Sequence, residues 1–254
     1  MRTISGHPVL AHAAARSSFE LWFVDEAGAQ RREPLPSCWQ VPFERARPSR
    51  SFPSFKGQRN FPGMWWSATT GEHVGYESWV ERDVAMLLDF DAEIVAFASQ
   101  PFWLIWPDQH GERKHAPDFF ARRADGTGVV IDVRPDGLVD AEAAEAFGVT
   151  ASACQQAGWE FRRTGGPSAV LAANLRWLAG YRHPRCRQPE IADALVEVFV
   201  EPAPLFAGAG AVGDRLAVLP TLYHLLWCQV LAADLAAAPL SPSSLVSVSG
   251  EPPR

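Results

Sequence analysis

Apolar and polar positions divide this chain into stretches of helical and of strand-like period. From Tyr76 to Asp91, YESWVERDVAMLLDFD, the residues Val80, Val84, Leu87 and Leu88 recur at helical spacing. Further helices are expected over residues 141 to 158, residues 168 to 181, and residues 189 to 200, the last with Pro189 at its start. The segment PTLYHLLWCQVLAADL (Pro220 to Leu235) is apolar almost all round, as a central or docked helix would be. Strand-like runs are SFELWFV (18 to 24), residues 94 to 98, FWLIWP (102 to 107), WEFRRT (159 to 164) and the short end of SPSSLVSV. Residues 31 to 75, rich in Pro, Gly and Ser, are expected to wrap the core as loops and short strands. A helix, several strands, a helix, a strand and a helix predict an α/β core. The character changes after HPRCRQPE, where two helices and a closing strand could form a winged-helix module. The expected units are therefore residues 1–75, a core over 76–185, and a helical C-terminal region over 186–254.

The run KHAPDFFARRADGTGVVIDVRPDG (114 to 137) places an acid, Asp132, inside Val129-Val130-Ile131-Asp132-Val133. Asp is depleted in strands, and a carboxylate near a core is costly unless paired. Ala124-Asp125-Gly126 suits a three-residue hairpin loop with Gly126 in the left-handed region. Counting outward from that loop brings Asp118 opposite Asp132, whereas a two-residue loop would put them on opposite faces. Facing like charges destabilise a hairpin unless a hard divalent cation joins them. The plainer alternative is that Pro117-Asp118 only opens a strand while Asp132 and Arg134 form a solvated ion pair.

A third acid comes from the first helix. Glu81, with Glu77 one turn before it, falls on or beside the apolar stripe, where acids are unusual. The structural alternative is a capping box, Ser78-x-x-Glu81, with Glu77 an ordinary charge at a helix start.

A helix acid, then PD, then D-x-R on the next strand resembles the PD-(D/E)xK nucleases, and more narrowly the TnsA-type endonuclease subunit of heteromeric transposases. ESWVERDVAMLLDFD, IVAFASQPF (Ile94 to Phe102), HAPDFF (His115 to Phe120) and VVIDVRP (Val129 to Pro135) carry the resemblance, which covers roughly residues 60 to 180. It implies a restriction-endonuclease-like mixed sheet flanked by helices, followed by a small, mainly helical region. It implies Glu81, Asp118, Asp132 and Arg134 as catalytic residues. It also implies magnesium, or manganese in its place, on Glu81, Asp118, Asp132 and the Val133 carbonyl. Arg134 stands where the family has lysine; it can clamp a phosphate oxygen but cannot act as a base. The implied partners are DNA, an integrase-like transposase and an ATPase regulator. A non-catalytic DNA-binding scaffold and a stand-alone restriction or repair nuclease are the competing functions.

Composition changes this picture in two places. The chain has 254 residues, a hydrophobic fraction of 47% and ten tryptophans, enough for a substantial core, and no apolar run reaches bilayer length. In the opening residues, His7, Pro8 and His12 interrupt the apolar run, so a ragged terminus is expected rather than a signal peptide. Cys38, Cys154, Cys186 and Cys228 form no C-x-x-C pair and read as reduced thiols of a cytoplasmic protein. The formal net charge is −6, but Arg31, Arg32, Arg45, Arg47, Arg50, Lys56 and Arg59 cluster against only Glu33 and Glu44, with aromatics interleaved over Arg50 to Trp66. Arg50, Lys56 and Arg59 are the expected DNA contacts, because local charge decides what an anionic polymer meets. From 189 to 250 Arg215 is the only arginine or lysine, which favours a protein-docking role for that region. Gly208-Ala-Gly210-Ala-Val-Gly213 matches a dinucleotide fingerprint, but its context reads as a flexible loop.

Overall fold

The computed structural model describes residues 19–25, 27–51, 61–109 and 111–250. Two four-stranded sheets carry the first two thirds of the chain. In one, β1 (Glu20–Val24) and β2 (Gln30–Pro34) join β6 (Phe102–Asp108) and β7 (Gly111–His115) in the order β2-β1-β6-β7. In the other, β5 (Ile94–Ser99), β8 (Phe119–Arg123), β9 (Gly128–Val133) and β10 (Glu160–Thr164) lie in the order β10-β9-β8-β5. In this second sheet β5, β8 and β9 pair antiparallel and β10 runs parallel to β9, so the sheet is mixed. The parallel step needs a crossover, which α2 (Ala141–Ala157) supplies. Asp140 caps its start by accepting from the Ala143 N–H, and Gly158 closes it in the left-handed region.

Side-chain alternation gives the second sheet two apolar faces. Phe119, Ala121, Val129 and Ile131 pack with Val84, Ala85 and Leu88 of α1 (Trp79–Phe90) on one side. Phe120 and Val130 pack on the other with Phe43, Phe102, Trp159 and the α2 residues Ala153 and Cys154. The sequence expectation of a single stripe on α1 is too narrow. Met86, Leu87 and Phe90 turn to the C-terminal region, so α1 is buried on two sides. A hairpin of β3 (Gly63–Trp66) and β4 (His73–Tyr76) leads into α1.

After α3 (Ala169–Leu178) come α4 (Pro189–Val198), β11 (Ala203–Pro204), α5 (Leu205–Val212), α6 (Arg215–Trp227), β12 (Leu231–Ala232) and β13 (Leu245–Val248). The three short strands form one sheet in the order β11-β13-β12. Two expectations change here. The glycine-rich segment from Gly208 is helical, and a Cβ on Gly208 would lie 2.2 Å from the Phe199 ring, so this glycine permits helix packing. The apolar helix starts earlier, at Arg215, and includes Pro220. It buries Val218, Leu222, Leu225, Leu226 and Trp227 in its own region, so its apolar character fills a core. Among the described residues, no single helix is long and apolar enough to cross a membrane.

Candidate functional site

The hairpin loop has three residues. Arg123 N–H donates to the Thr127 carbonyl, Gly126 N–H to the Arg123 carbonyl, and Gly126 has φ 90°. Phe119 pairs with Ile131 and Phe120 with Val130, so one further step places Asp118 beside Asp132. On the other side Ser99 pairs with Phe119, and the Gln100 N–H donates to the Asp118 carbonyl at 2.9 Å. Gln100, Asp118 and Asp132 thus form a polar row at the ends of three strands, one position beyond the row of Ser99, Phe119 and Ile131.

Asp118 does not sit free at this edge. One of its carboxylate oxygens accepts the Val133 N–H at 2.7 Å. Burial pushes its carboxyl well above the usual carboxylate range, and the charges of Glu81 and Asp132 push the same way. The three acids singled out in the sequence therefore gather at one end of the sheet, near enough for each of the other two to oppose ionisation of Asp118.

Their oxygens have other partners. Asp132, only 2% exposed, has both oxygens at 2.9 and 3.0 Å from His115 Nε2. Glu81 forms the capping box: its N–H donates to Ser78 Oγ, one carboxylate oxygen accepts the Ser78 hydroxyl at 2.8 Å, and the other accepts the Glu77 N–H at 2.7 Å. Burial raises the Glu81 carboxyl above its ordinary value despite those bonds. Among the described residues no three His, Cys, Asp or Glu side chains are arranged to hold one metal ion. The donor chemistry nonetheless fits a hard cation. The site consists of carboxylate oxygens, and the buried Glu77 Oε1 beside them has no hydrogen-bond partner.

Arg134 and the expected DNA contacts lie differently from one another. The Arg134 guanidinium turns to the Leu138 carbonyl at 2.8 Å and to Asp140 at 3.4 Å, at the start of α2. Arg50 joins the acid cluster, donating to Glu77 at 2.8 Å. Lys56 and Arg59 lie outside the described residues. Of the remaining arginines, Arg31 pairs with Asp25 and Arg32 with Glu20 and Glu112, which mutes the basic cluster. His115, Gln100 and Ser49 are polar residues at this site to which no role fell in the sequence. For Gln100 the signal was present, a single amide between the apolar runs IVAFAS and FWLIW.

No protein-family model matches the chain, and no curated protein matches it significantly in sequence.

Proposed function

We propose that this chain is a divalent-cation-dependent DNA endonuclease, hydrolysing phosphodiester bonds at transposon ends as the endonuclease subunit of a heteromeric transposase. One observation carries the reading. Asp118 is set beside Asp132 and near Glu81, at a sheet end where their charges oppose one another. The mixed sheet flanked by α1 and α2 agrees with the fold that the PD-(D/E)xK resemblance implies. The series α4, β11, α5, α6, β12, β13 is compatible with a winged-helix module, and its paucity of basic residues favours docking to the transposase or the ATPase regulator.

Asp118, Asp132, Glu81 and the Val133 carbonyl would hold magnesium or manganese, which supplies a water of lowered pKa and neutralises charge on the scissile phosphate. To hold it, Asp132 would exchange His115, and Glu81 its capping partners, for the cation. Arg134, on leaving Leu138 and Asp140, would clamp a non-bridging oxygen while keeping its charge.

Asp132→Ala should abolish magnesium-dependent nicking of transposon-end DNA in the assembled complex while the circular dichroism spectrum is retained. Equal nicking by variant and parent would remove the proposal. A non-catalytic scaffold of the same assembly is the second reading, favoured by the Arg134 guanidinium being turned to the start of α2. Manganese calorimetry separates the two. Heat that depends on Asp118 and Asp132 favours the nuclease, and its absence favours the scaffold.

A further inference from the structure

Next to the acids lies a group of buried polar atoms without partners among the described residues. They are Ser49 Oγ, Arg50 Nε, Glu77 Oε1, and both amide atoms of Gln100. Gln100 is 1% exposed and Ser49 8% exposed, so both are withdrawn from bulk water. Leaving such atoms unpaired is costly, and native proteins rarely do so without a ligand or ordered solvent.

The four residues are linked to one another and to the acid row. Ser49 N–H donates to the Gln100 carbonyl at 2.7 Å, and Gln100 N–H donates to the Asp118 carbonyl. Arg50 binds Glu77, whose N–H binds Glu81. Gln100 also has φ 47°, in the left-handed region that glutamine seldom adopts. Strained backbone that the surroundings hold in place is concentrated at functional sites.

The unpaired atoms are of both kinds. Ser49, Arg50 and the Gln100 Nε2 can donate, while Glu77 Oε1 and Gln100 Oε1 can only accept. A lone anion would leave the acceptors unpaired, and a lone cation the donors. We infer that Ser49, Arg50, Glu77 and Gln100 form a subsite for a DNA phosphodiester together with its divalent counterion, the donors taking phosphate oxygens and the acceptors facing the hydrated cation. The inference rests on the nuclease reading and extends its site along the polar row from Asp132 to Gln100. Arg50, with a side chain 35% exposed, is the member of this group most open to solvent.

The test is the affinity of the full chain for a short fluorescein-labelled DNA duplex, measured by anisotropy in calcium and in EDTA. In the parent, calcium should strengthen binding. Gln100→Met keeps the side-chain length and removes both polar atoms. It should weaken binding in calcium by about tenfold, the value of hydrogen bonds to a charged group. Ser49→Ala should act in the same direction with a smaller loss. Gln100→Met binding DNA as the parent does in calcium, whether its melting temperature rises or holds, would overturn the inference and assign the amide to internal water. Parent binding that is indifferent to calcium would overturn it too. If Gln100→Met misfolds, Ser49→Ala decides alone, and parental affinity in calcium refutes the subsite. The nuclease reading is judged separately, by nicking in Asp132→Ala.

Discussion

Asp118 is surrounded by groups that oppose its charge: the protein around it, Glu81 and Asp132 all favour the protonated form. Its folded-state pKa is raised, so its contribution to stability is present at acid pH and lost as pH rises through the folded value. Asp118→Asn should therefore be more stable than the parent at neutral pH, by ~1–3 kcal/mol for relieving an opposed buried carboxylate. The gain should vanish below the ordinary aspartate value of 3.8, where both states of the parent are protonated. Denaturant titrations of both proteins across pH check the sign. On the nuclease reading, magnesium stabilises the parent and leaves Asp118→Asn unchanged.

For single elements, the first helix shows how one sequence feature serves two purposes. Ser78-x-x-Glu81 does form a capping box, so the structural alternative and the proposed metal ligand are the same side chain. Ser78→Ala removes the cap and should cost about 1 kcal/mol, seen as a lower denaturation midpoint with unchanged slope. The β8–β9 hairpin follows the register that Ala124-Asp125-Gly126 dictates, because a three-residue turn leaves no freedom in which residues face each other. The β7 strand was not evident. GERKH is polar, and it forms a strand by pairing with β6. That pairing is also what brings His115 onto Asp132.

Across the whole molecule, the β3–β4 hairpin is fastened by Arg182 to the turn that follows α3. Its guanidinium lies 4.3 Å from the Trp65 ring centre and 5.3 Å from that of Trp66, and Nε donates to the Trp66 carbonyl at 3.0 Å. The buried Asp89 carboxylate is 3.9 Å away, itself held by Trp65 Nε1, the Ser67 hydroxyl and two backbone N–H groups. Burial lowers the Arg182 pKa, so this cation is kept at a cost that the stacking and Asp89 offset. Arg182→Ala should destabilise the protein by roughly 3 kcal/mol. Hydrogen exchange should rise first over residues 63–76.

The chain alone determined what depends on neighbours in sequence. Helical and strand periods, the capping box, the three-residue turn and the placing of Asp118 beside Asp132 all follow from local geometry, which propagates along a chain without knowledge of the rest. Tertiary structure decided what each charged group meets. Arg50 turns to Glu77, Arg134 to the start of α2, His115 to Asp132, and Gln100 is buried beside Asp118. Long side chains reach several ångströms in any direction, and the partner they find is set by which distant strand or loop folds against them.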